Sequence, residues 1–255
     1  MILEIDRLSK SFNTDIKKEP IRVLDCASIT LDANEWVGVV GESGCGKSTL
    51  AKIIMQALSS DNGEIKFDNK SIKNLNKQEL RNYYKGVQMV FQDPLSSFSP
   101  RVKIATHLSE ALINFGICSK KKSLNMSKKL LEDVGLSVDK LHRYPSELSG
   151  GELQRVAIAR AISVSPKIII FDEATSALDV RTEAQIIKLL HDMKQTKNFS
   201  AIFISHNIAL VHNIASRIYV MKDGKIVEEY LSKDIHSPNR REYTKLLIEA
   251  ASLKI

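Results

Sequence analysis

The sequence predicts an α/β fold with a mainly parallel sheet core, an N-terminal antiparallel β layer and a helical subdomain. In the second half of the chain, apolar runs at residues 168–171 and 201–204 enclose a helical pattern at 182–193. Such alternation is typical of a parallel sheet covered by helices. The first residues instead alternate apolar and polar side chains, as strands of an antiparallel layer do. Helical spacing prevails from about residue 94 to residue 165.

The first half of the chain is predicted to contain strands and one strand–loop–helix unit. Residues 2–8 alternate in polarity, whereas residues 36–40 form an apolar run that leads into the glycine-rich segment GESGCGKST. A helix is expected to follow, from residue 48 to about residue 58. After the turn Asp61-Asn62-Gly63, a short strand at residues 64–68 is expected to return to the antiparallel layer.

Two helices are expected early in the helical subdomain, the second of them closed by Gly135. Their apolar residues recur at helical spacing and are Leu108, Ala111, Leu112, Phe115, Leu130, Leu131 and Val134. Near the C-terminus, the pair Asp223-Gly224 predicts a β-hairpin. We therefore expect a single domain over residues 1–255. Its parts are a core of residues 1–93 and 166–230, the helical subdomain at about 94–165, and a short C-terminal extension, 231–255.

The composition is that of a globular protein large enough to bury a substantial core, with 43% hydrophobic and 26% charged residues. No apolar run approaches the roughly 20 residues that cross a bilayer. The N-terminus lacks the parts of a secretion signal, so we expect the protein in the cytosol. Cys26, Cys45 and Cys118 are far apart and odd in number, which argues against a disulfide framework and a zinc site. They are expected to be reduced thiols.

The basic charge of +7 is compatible with nucleic acid, an anionic membrane face or an excess of solvated lysines. The densest basic segments are Lys120-Lys121-Lys122 and Lys128-Lys129. They contain no aromatic residues that could stack on bases, and they are expected to form the exposed face of a helix. No nucleic-acid partner is therefore expected.

The segment GESGCGKST fits the phosphate-binding pattern G-x-x-x-x-G-K-[ST] and lies between a predicted strand and a predicted helix, the context that makes the match credible. Its glycines let backbone N–H groups surround phosphate oxygens, and the helix N-terminus favours anions. We expect Lys47 to reach the β- and γ-phosphates of a nucleotide and Ser48 to ligate Mg²⁺. A glycine-rich turn that binds nothing is the alternative, but lysine followed by serine at a helix start serves no packing purpose. The residues expected to bind nucleotide are Gly41, Glu42, Ser43, Gly44, Cys45, Gly46, Lys47, Ser48 and Thr49.

The apolar run at residues 168–171 ends in two carboxylates, Asp172 and Glu173. This places both acids at the carboxyl edge of a parallel sheet, where ligands bind. With a phosphate loop on a neighbouring strand, Mg²⁺ is the natural partner of Asp172. Glu173 is then left to orient or deprotonate an attacking water. A plain turn at the strand end is the alternative for this pair.

A second anion site is predicted at the segment LSGGELQR, residues 148–155. Ser149, Gly150 and Gly151 open a predicted helix, and a serine hydroxyl with bare glycine amides at a helix start suits a phosphate. A simple helix cap is the alternative for Ser149. We expect that a cap alone does not explain two glycines followed by Glu152, Gln154 and Arg155.

With these motifs in this order, the sequence resembles the ABC ATPase family over essentially the whole chain. The resemblance implies a P-loop NTPase of the ABC cassette type that hydrolyses MgATP. It also implies that two cassettes pair head to tail, and that the Ser149-Gly150-Gly151 segment of each caps the ATP held by the phosphate loop of the other.

Further residue roles are implied by the resemblance alone. Gln92 in VFQDP matches the loop glutamine that senses Mg²⁺ and the γ-phosphate, and Asp179 in SALD matches a loop that contacts the opposite cassette. His206 matches the switch histidine that grips the γ-phosphate. Phe12 matches the aromatic residue that stacks on adenine, with a core phenylalanine as the alternative. The implied catalytic residues are Lys47, Gln92, Glu173 and His206, and the implied Mg²⁺ ligands are Ser48, Gln92 and Asp172.

Within the family, VFQDPLSSFSPR, RYPSELSGGELQR and the tail SPNRREYTKLL look like cassettes of bacterial peptide and nickel importers, although Phe98-Ser99 departs from the Leu-Asn common there. This likeness implies separate membrane-spanning permease subunits, a second cassette and, indirectly, an extracytoplasmic solute-binding protein. The chain is then expected at the cytoplasmic face of the cell membrane. The segment with Ser96, Ser97, Phe98 and Arg101 is our hypothesis for the groove that receives a permease helix.

Two alternatives within the same family are a soluble ABC ATPase acting on nucleic acid or ribosomes and a non-catalytic regulatory cassette. The first usually carries two cassettes in one chain, a long coiled coil or a zinc insert, none of which is present in this sequence. The second is disfavoured because both acids and His206 are present. The identity of the cargo and the choice between a homodimer and a heterodimer stay open.

Overall fold

The structure is a computed structural model that describes residues 1–13 and 20–251. These residues group into two compact units, Met1–Asn76 with Ser200–Ile255 as the first and Lys77–Phe199 as the second. The strands described are β1 Leu3–Phe12, β2 Ile21–Leu31, β3 Trp36–Val40, β4 Asn62–Phe67, β5 Lys70–Ser71, β6 Val87–Val90, β7 Ile168–Asp172, β8 Ser200–Ser205, β9 Arg217–Lys222 and β10 Lys225–Leu231. The α-helices described are α1 Lys47–Ile54, α2 Lys77–Gly86, α3 Ile104–Asn114, α4 Lys120–Asp133, α5 Gly150–Ile162, α6 Val180–Thr196, α7 Ile208–Ile214 and α8 Glu242–Ala250.

The first unit contains the predicted antiparallel layer and parallel strands. The layer has the order β2-β1-β4-β5, with antiparallel pairing throughout. Separately, β3 lies between β8 and β9 and is parallel to both, while β9 and β10 form the predicted hairpin. Every residue of β3 and β8 is buried. This explains why these strands appear in the sequence as continuous apolar runs, since a strand covered on both faces has no polar side.

The helix after the phosphate loop is shorter than predicted. It ends at Ile54 and not near Leu58. Gln56 adopts a left-handed conformation with φ of 55°, and the N–H of Ala57 donates to the carbonyl of Lys52 at 2.9 Å. This arrangement satisfies the last carbonyls of the helix and stops it without a glycine.

The second unit pairs β6 with β7 in parallel and carries helices α3, α4 and α5 in the segment for which helices were predicted. The lysines of α4 are exposed, as expected. Phe98 is only 4% exposed, so its prediction as a groove residue is wrong, whereas Ser96 and Arg101 of the same segment are exposed. Helix α2 and strand β6 were not predicted.

All three cysteines are free thiols, as the sequence predicts. Cys26 is exposed and Cys45 is buried. None of the helices in the described ranges 1–13 and 20–251 combines the length and the apolar character needed to span a bilayer.

Candidate nucleotide-binding site

The phosphate loop follows β3 directly and is shaped by close backbone approaches. A Cβ at Gly46, where φ is 108°, would lie 2.5 Å from the carbonyl oxygen of Val23. A Cβ at Gly41 would lie 2.1 Å from the carbonyl oxygen of Met221. Neither position admits a side chain without moving the backbone of a neighbouring strand. The two glycines are therefore required by packing as well as by any ligand.

The side chain of Lys47 is buried inside this loop, with only 4% of the residue exposed. Its Nζ donates to the carbonyl oxygens of Gly41 and Glu42, both at 2.8 Å, and lies 3.7 Å from the sulfur of Cys45. These contacts satisfy the ammonium donors but leave its charge without an anionic partner among them. A buried cation is stabilised when an anion approaches, and this arrangement suits a phosphate.

Cys45 packs against Lys47 within the loop. Burial raises the pKa of the Cys45 thiol, although the neighbouring lysine acts in the opposite direction. A thiol with a raised pKa is poorly nucleophilic near neutral pH. Cys45 is therefore a small residue of the loop and not a reactive thiol.

His206 lies at the same sheet edge as the phosphate loop. Strands β3 and β8 are paired so that Val40 is opposite Ser205. The next residues along the two strands are Gly41 and His206, and both strands run in the same direction. His206 is exposed, and Asn207 behind it caps α7 by accepting hydrogen bonds from the first amides of that helix.

Phe12 is the last residue of β1 and is 37% exposed. The Nζ of Lys10 lies 5.6 Å from the centroid of its ring. The alternative of a core phenylalanine is therefore wrong. An exposed ring can offer a face to a planar base, but its role toward adenine stays a prediction.

In the second unit, the two acids and Gln92 share one sheet edge. Strands β6 and β7 are paired so that Val90 is opposite Phe171. Asp172 is the first residue after Phe171, and Gln92 is the second residue after Val90. Asp172 is 8% exposed and Gln92 is exposed. Glu173 has a left-handed backbone with φ of 48°, which is costly for a residue with a Cβ and is a conformation that recurs at functional sites.

The segment that begins at Ser149 forms a capping box at the start of α5. The hydroxyl of Ser149 accepts from the N–H of Glu152 at 3.3 Å, and the Glu152 carboxylate accepts from the N–H of Ser149 at 2.9 Å. Gln154 donates to the carbonyl of Phe91 at 3.5 Å, and Arg155 donates to the carbonyl of Val134 at 2.9 Å. The cap accounts for Glu152, whereas Gln154 and Arg155 make structural contacts outside it, so a cap alone does not explain the segment, as expected.

Gly151 and Asp179 are joined through Thr182 in the first turn of α6. A Cβ at Gly151 would lie 2.3 Å from the Cγ2 of Thr182. Asp179 accepts from the N–H of Thr182 at 3.0 Å and from its hydroxyl at 2.7 Å. These hydrogen bonds hold the pKa of the Asp179 carboxyl below its usual value. The unit thus brings the Ser149 segment and Asp179 together around one threonine.

The predicted site residues therefore fall into groups within each unit. The first unit groups the phosphate loop with His206, and the second groups Gln92 with the two acids and the Ser149 segment with Asp179. Two residues that contact these groups, Thr182 and Tyr243, belong to no recognisable sequence motif. The hydroxyl of Tyr243 accepts a hydrogen bond from the N–H of Glu42 in the phosphate loop, although 201 positions separate the two residues in sequence.

Comparison with known proteins agrees with this geometry. The family model described as ABC transporter matches residues 24–176. A probable peptide ABC transporter ATP-binding protein of Sinorhizobium fredii is 40% identical over 257 residues, which cover 98% of this chain and 72% of that protein. The oligopeptide transport ATP-binding protein OppF of Streptococcus mutans is 38% identical over 250 residues, covering 98% of this chain and 81% of that protein.

Among solved structures, the ATP-binding cassette MJ0796, as a dimer in a post-hydrolysis state bound to ADP and Pi, is similar with a TM-score of 0.81 and 28% identity. The match covers 91% of this chain and 99% of that one. Sequence identity and fold thus agree. The chain belongs to the ABC transporter family and is one of its ATP-binding, ATP-hydrolysing cassettes.

Proposed function

We propose that this cassette hydrolyses MgATP to power the import of peptides through separate membrane subunits. The observation that carries the nucleotide part is the buried ammonium of Lys47, which is held by two carbonyl oxygens inside a phosphate loop. The peptide part is supported by the names of relatives in Sinorhizobium fredii and Streptococcus mutans. Nickel or a metal chelate is the second cargo class that the sequence motifs suggest.

The proposed catalytic roles are those that the motifs and the family resemblance imply for these residues. Lys47 would turn from the carbonyl oxygens of Gly41 and Glu42 toward the β- and γ-phosphates. Glu173 would orient the attacking water and accept its proton, with Gln92 and His206 contacting the γ-phosphate side.

Magnesium fits the chemistry of the donors proposed for it. The ligands would be the hydroxyl of Ser48, the amide oxygen of Gln92 and the carboxylate of Asp172, all hard oxygen donors. In the described residues no group of three His, Cys, Asp or Glu side chains is placed to hold a metal. A site with one protein carboxylate suits Mg²⁺ that arrives with phosphate oxygens. The ion would supply neutralisation of phosphate charge.

The second anion site is proposed to serve a partner cassette. Ser149, Gly150 and Gly151 would cap the nucleotide held by the phosphate loop of that partner, and Asp179 would lie at the same interface. The similarity to a cassette solved as a dimer supports this arrangement. The partner would be a second copy of this chain or a similar subunit. Phe12 would stack on the adenine of the nucleotide bound in its own chain.

The remaining partners and the location belong to the same proposal. Permease subunits would contact the cassette at the cytoplasmic face of the membrane, and a solute-binding protein would act through them. Residues 94–165 would form the helical signature subdomain, between core residues 1–93 and 166–230, with 231–255 as the C-terminal extension. Action on nucleic acid or ribosomes is supported only by the basic charge, and the exposed lysines of α4 carry no aromatic neighbours within that helix.

The proposal is tested by measuring ATP binding and phosphate release for the purified chain and two variants. Lys47→Ala should weaken ATP binding itself. Glu173→Gln should bind ATP but release phosphate more slowly by orders of magnitude, and it should accumulate as a dimer in the presence of MgATP. An unchanged turnover rate in Glu173→Gln would remove Glu173 as the catalytic base. Peptide uptake by vesicles carrying the cassette and its permeases then tests the cargo.

A further inference from the structure

One peptide group in the phosphate loop is held at both ends. It joins Gly41 to Glu42, and its carbonyl oxygen accepts from the Nζ of Lys47 at 2.8 Å. Its N–H donates to the hydroxyl of Tyr243 at 3.2 Å. A side chain of the loop and a side chain of the C-terminal extension thus fix the orientation of the same peptide plane.

The residues on both sides of Tyr243 are anchored to β10 through Glu228. The carboxylate of Glu228 accepts from the Nη1 of Arg240 at 2.8 Å, from the N–H of Arg241 at 3.1 Å and from the hydroxyl of Thr244. Burial raises the pKa of Glu228, but the hydrogen bonds from Thr244, Arg240 and Arg241 outweigh this, and the net pKa lies below its usual value. Glu228 therefore stays charged near neutral pH and holds the start of α8 in place.

The ring of Tyr243 is fixed as well. The Nζ of Lys222 lies 4.7 Å from the ring centroid, a cation–π distance. Burial raises the pKa of the Tyr243 phenol, so the hydroxyl stays protonated near neutral pH. Lys222 precedes the hairpin turn, where the N–H of Gly224 donates to the carbonyl of Cys45 at 3.1 Å. The hairpin and α8 thus both contact the phosphate loop within the first unit.

We propose that Tyr243 is a positioning residue for the phosphate loop, whose hydroxyl keeps the Gly41–Glu42 peptide group in one orientation before a nucleotide binds. This inference rests on the proposed binding of nucleotide at that loop. Without the hydroxyl, the N–H of Glu42 loses its acceptor, and the peptide group is held at one end only, by Lys47. A loop that is less ordered before binding must lose more conformational freedom when a nucleotide binds, so its affinity falls.

The chain offers a closely matched control in Tyr230. Its hydroxyl is buried and has no hydrogen-bond partner in the described part of the chain, and its ring packs against Arg240 at 4.0 Å. Tyr230→Phe and Tyr243→Phe each remove one phenol hydroxyl and keep the ring. Only the second substitution removes a hydrogen bond to the phosphate loop.

Calorimetric titration of ADP into the full chain measures the effect on affinity. Tyr243→Phe should bind ADP about fivefold more weakly than the wild-type chain, the size expected for one hydrogen bond between neutral groups. Tyr230→Phe should bind as the wild type does. Equal affinity of Tyr243→Phe and the wild type would overturn the proposal, and so would an equal loss in both variants.

Hydrogen–deuterium exchange of the nucleotide-free chain gives a readout that does not depend on binding. Peptides covering residues 41–46 should exchange faster in Tyr243→Phe than in the wild type, and at the wild-type rate in Tyr230→Phe. Unchanged exchange in Tyr243→Phe would overturn the positioning role. If the wild-type chain bound neither ADP nor ATP, the proposed function would fail, whereas faster exchange in Tyr243→Phe would still support the hold on the loop.

Discussion

The guanidinium of Arg160 lies over the ring of Phe98, with its central carbon 4.3 Å from the ring centroid. The same group donates to the carbonyl oxygen of Ser97 at 2.8 Å, and His107 meets the ring edge-on at 5.0 Å. Burial lowers the pKa of Arg160, as expected for a cation removed from water. The segment after Gln92 is therefore fixed to α5 and α3 within the second unit by its own aromatic residue.

Replacing Phe98 should consequently affect stability before anything else. Phe98→Ala removes a ring that is 4% exposed and leaves Arg160 without its aromatic contact, so we expect a loss of about 3 kcal/mol or more in the free energy of unfolding. Leu95→Ala, at a residue 48% exposed in the same segment, should change it by less than about 0.5 kcal/mol. Denaturant titration measures both, and equal effects would contradict the buried position of Phe98.

The permease contact proposed for this segment is then better tested at Leu95. A charge at this exposed apolar side chain should disturb a docking surface without disturbing the interior. We expect Leu95→Asp to abolish most peptide uptake in vesicles while the ATPase rate of the isolated cassette stays at the wild-type level. Leu124→Asp, at a leucine 44% exposed on α4, is the matched control and should transport normally. Full transport by Leu95→Asp would count against docking here.

Gly150 and Gly151, the two glycines of the Ser149 segment, should respond differently to replacement by alanine. In Gly151→Ala the new Cβ meets the Cγ2 of Thr182 at 2.3 Å, so we expect a cost of about 1–3 kcal/mol from overpacking. In Gly150→Ala the nearest atom is a carbon of Leu178 at 3.7 Å, an ordinary contact, and stability should hold. Thermal unfolding compares them. Thr182→Ser should rescue Gly151→Ala, because it removes the methyl group and keeps the hydroxyl that Asp179 accepts from.

The left-handed backbone of Glu173 predicts that replacing this residue by glycine or alanine affects stability differently but activity equally. Its φ of 48° costs a residue with a Cβ roughly 1–2 kcal/mol, and glycine escapes this cost. We expect Glu173→Gly to be more stable than Glu173→Ala by about 1 kcal/mol, with ATP hydrolysis lost in both. Thermal unfolding and phosphate release measure the two properties. A less stable glycine variant would show that the left-handed conformation is not strained.

The parts of the fold that the sequence predicted well are those whose signal is local. Strands β3 and β8 are buried on both faces, so they appear as continuous apolar runs, and the phosphate loop is written as one motif. Helix α2 was missed because Tyr83 is its only buried residue, which leaves almost no apolar periodicity to detect. The end of α1 was misplaced because a left-handed Gln56 replaces the usual glycine.

The parts that could not be predicted depend on partners far along the chain. Phe98 looked like a surface residue because Arg160, which covers it, lies on another helix. The contact between Tyr243 and the phosphate loop spans 201 positions and has no motif of its own. Gly151 was assigned to anion binding alone. Thr182 also requires a glycine there, because its Cγ2 occupies the space that a Cβ would need. The motifs therefore identified candidate residues and did not reveal the contacts that hold them.

The capping box at Ser149 makes the stability of the second unit depend on pH in a defined direction. The hydrogen bond from Lys140 at 2.8 Å, and then that from the N–H of Ser149, hold the pKa of Glu152 below its usual value of 4.5. A carboxylate with a depressed pKa in the folded state stabilises the fold fully above its unfolded pKa, and the effect is lost as the pH falls through the folded pKa.

Glu152→Gln should therefore lower the free energy of unfolding near pH 7 by up to about 1 kcal/mol, the upper range for a partly exposed pair. The difference from the wild type should shrink as the pH falls below about 4.5 and vanish once Glu152 is protonated in both states. Thermal unfolding across this range measures it. Lys140→Gln should remove most of the difference, because it deletes the partner that lowers the pKa most. A constant difference at every pH would mean that Glu152 contributes through packing and not through its charge.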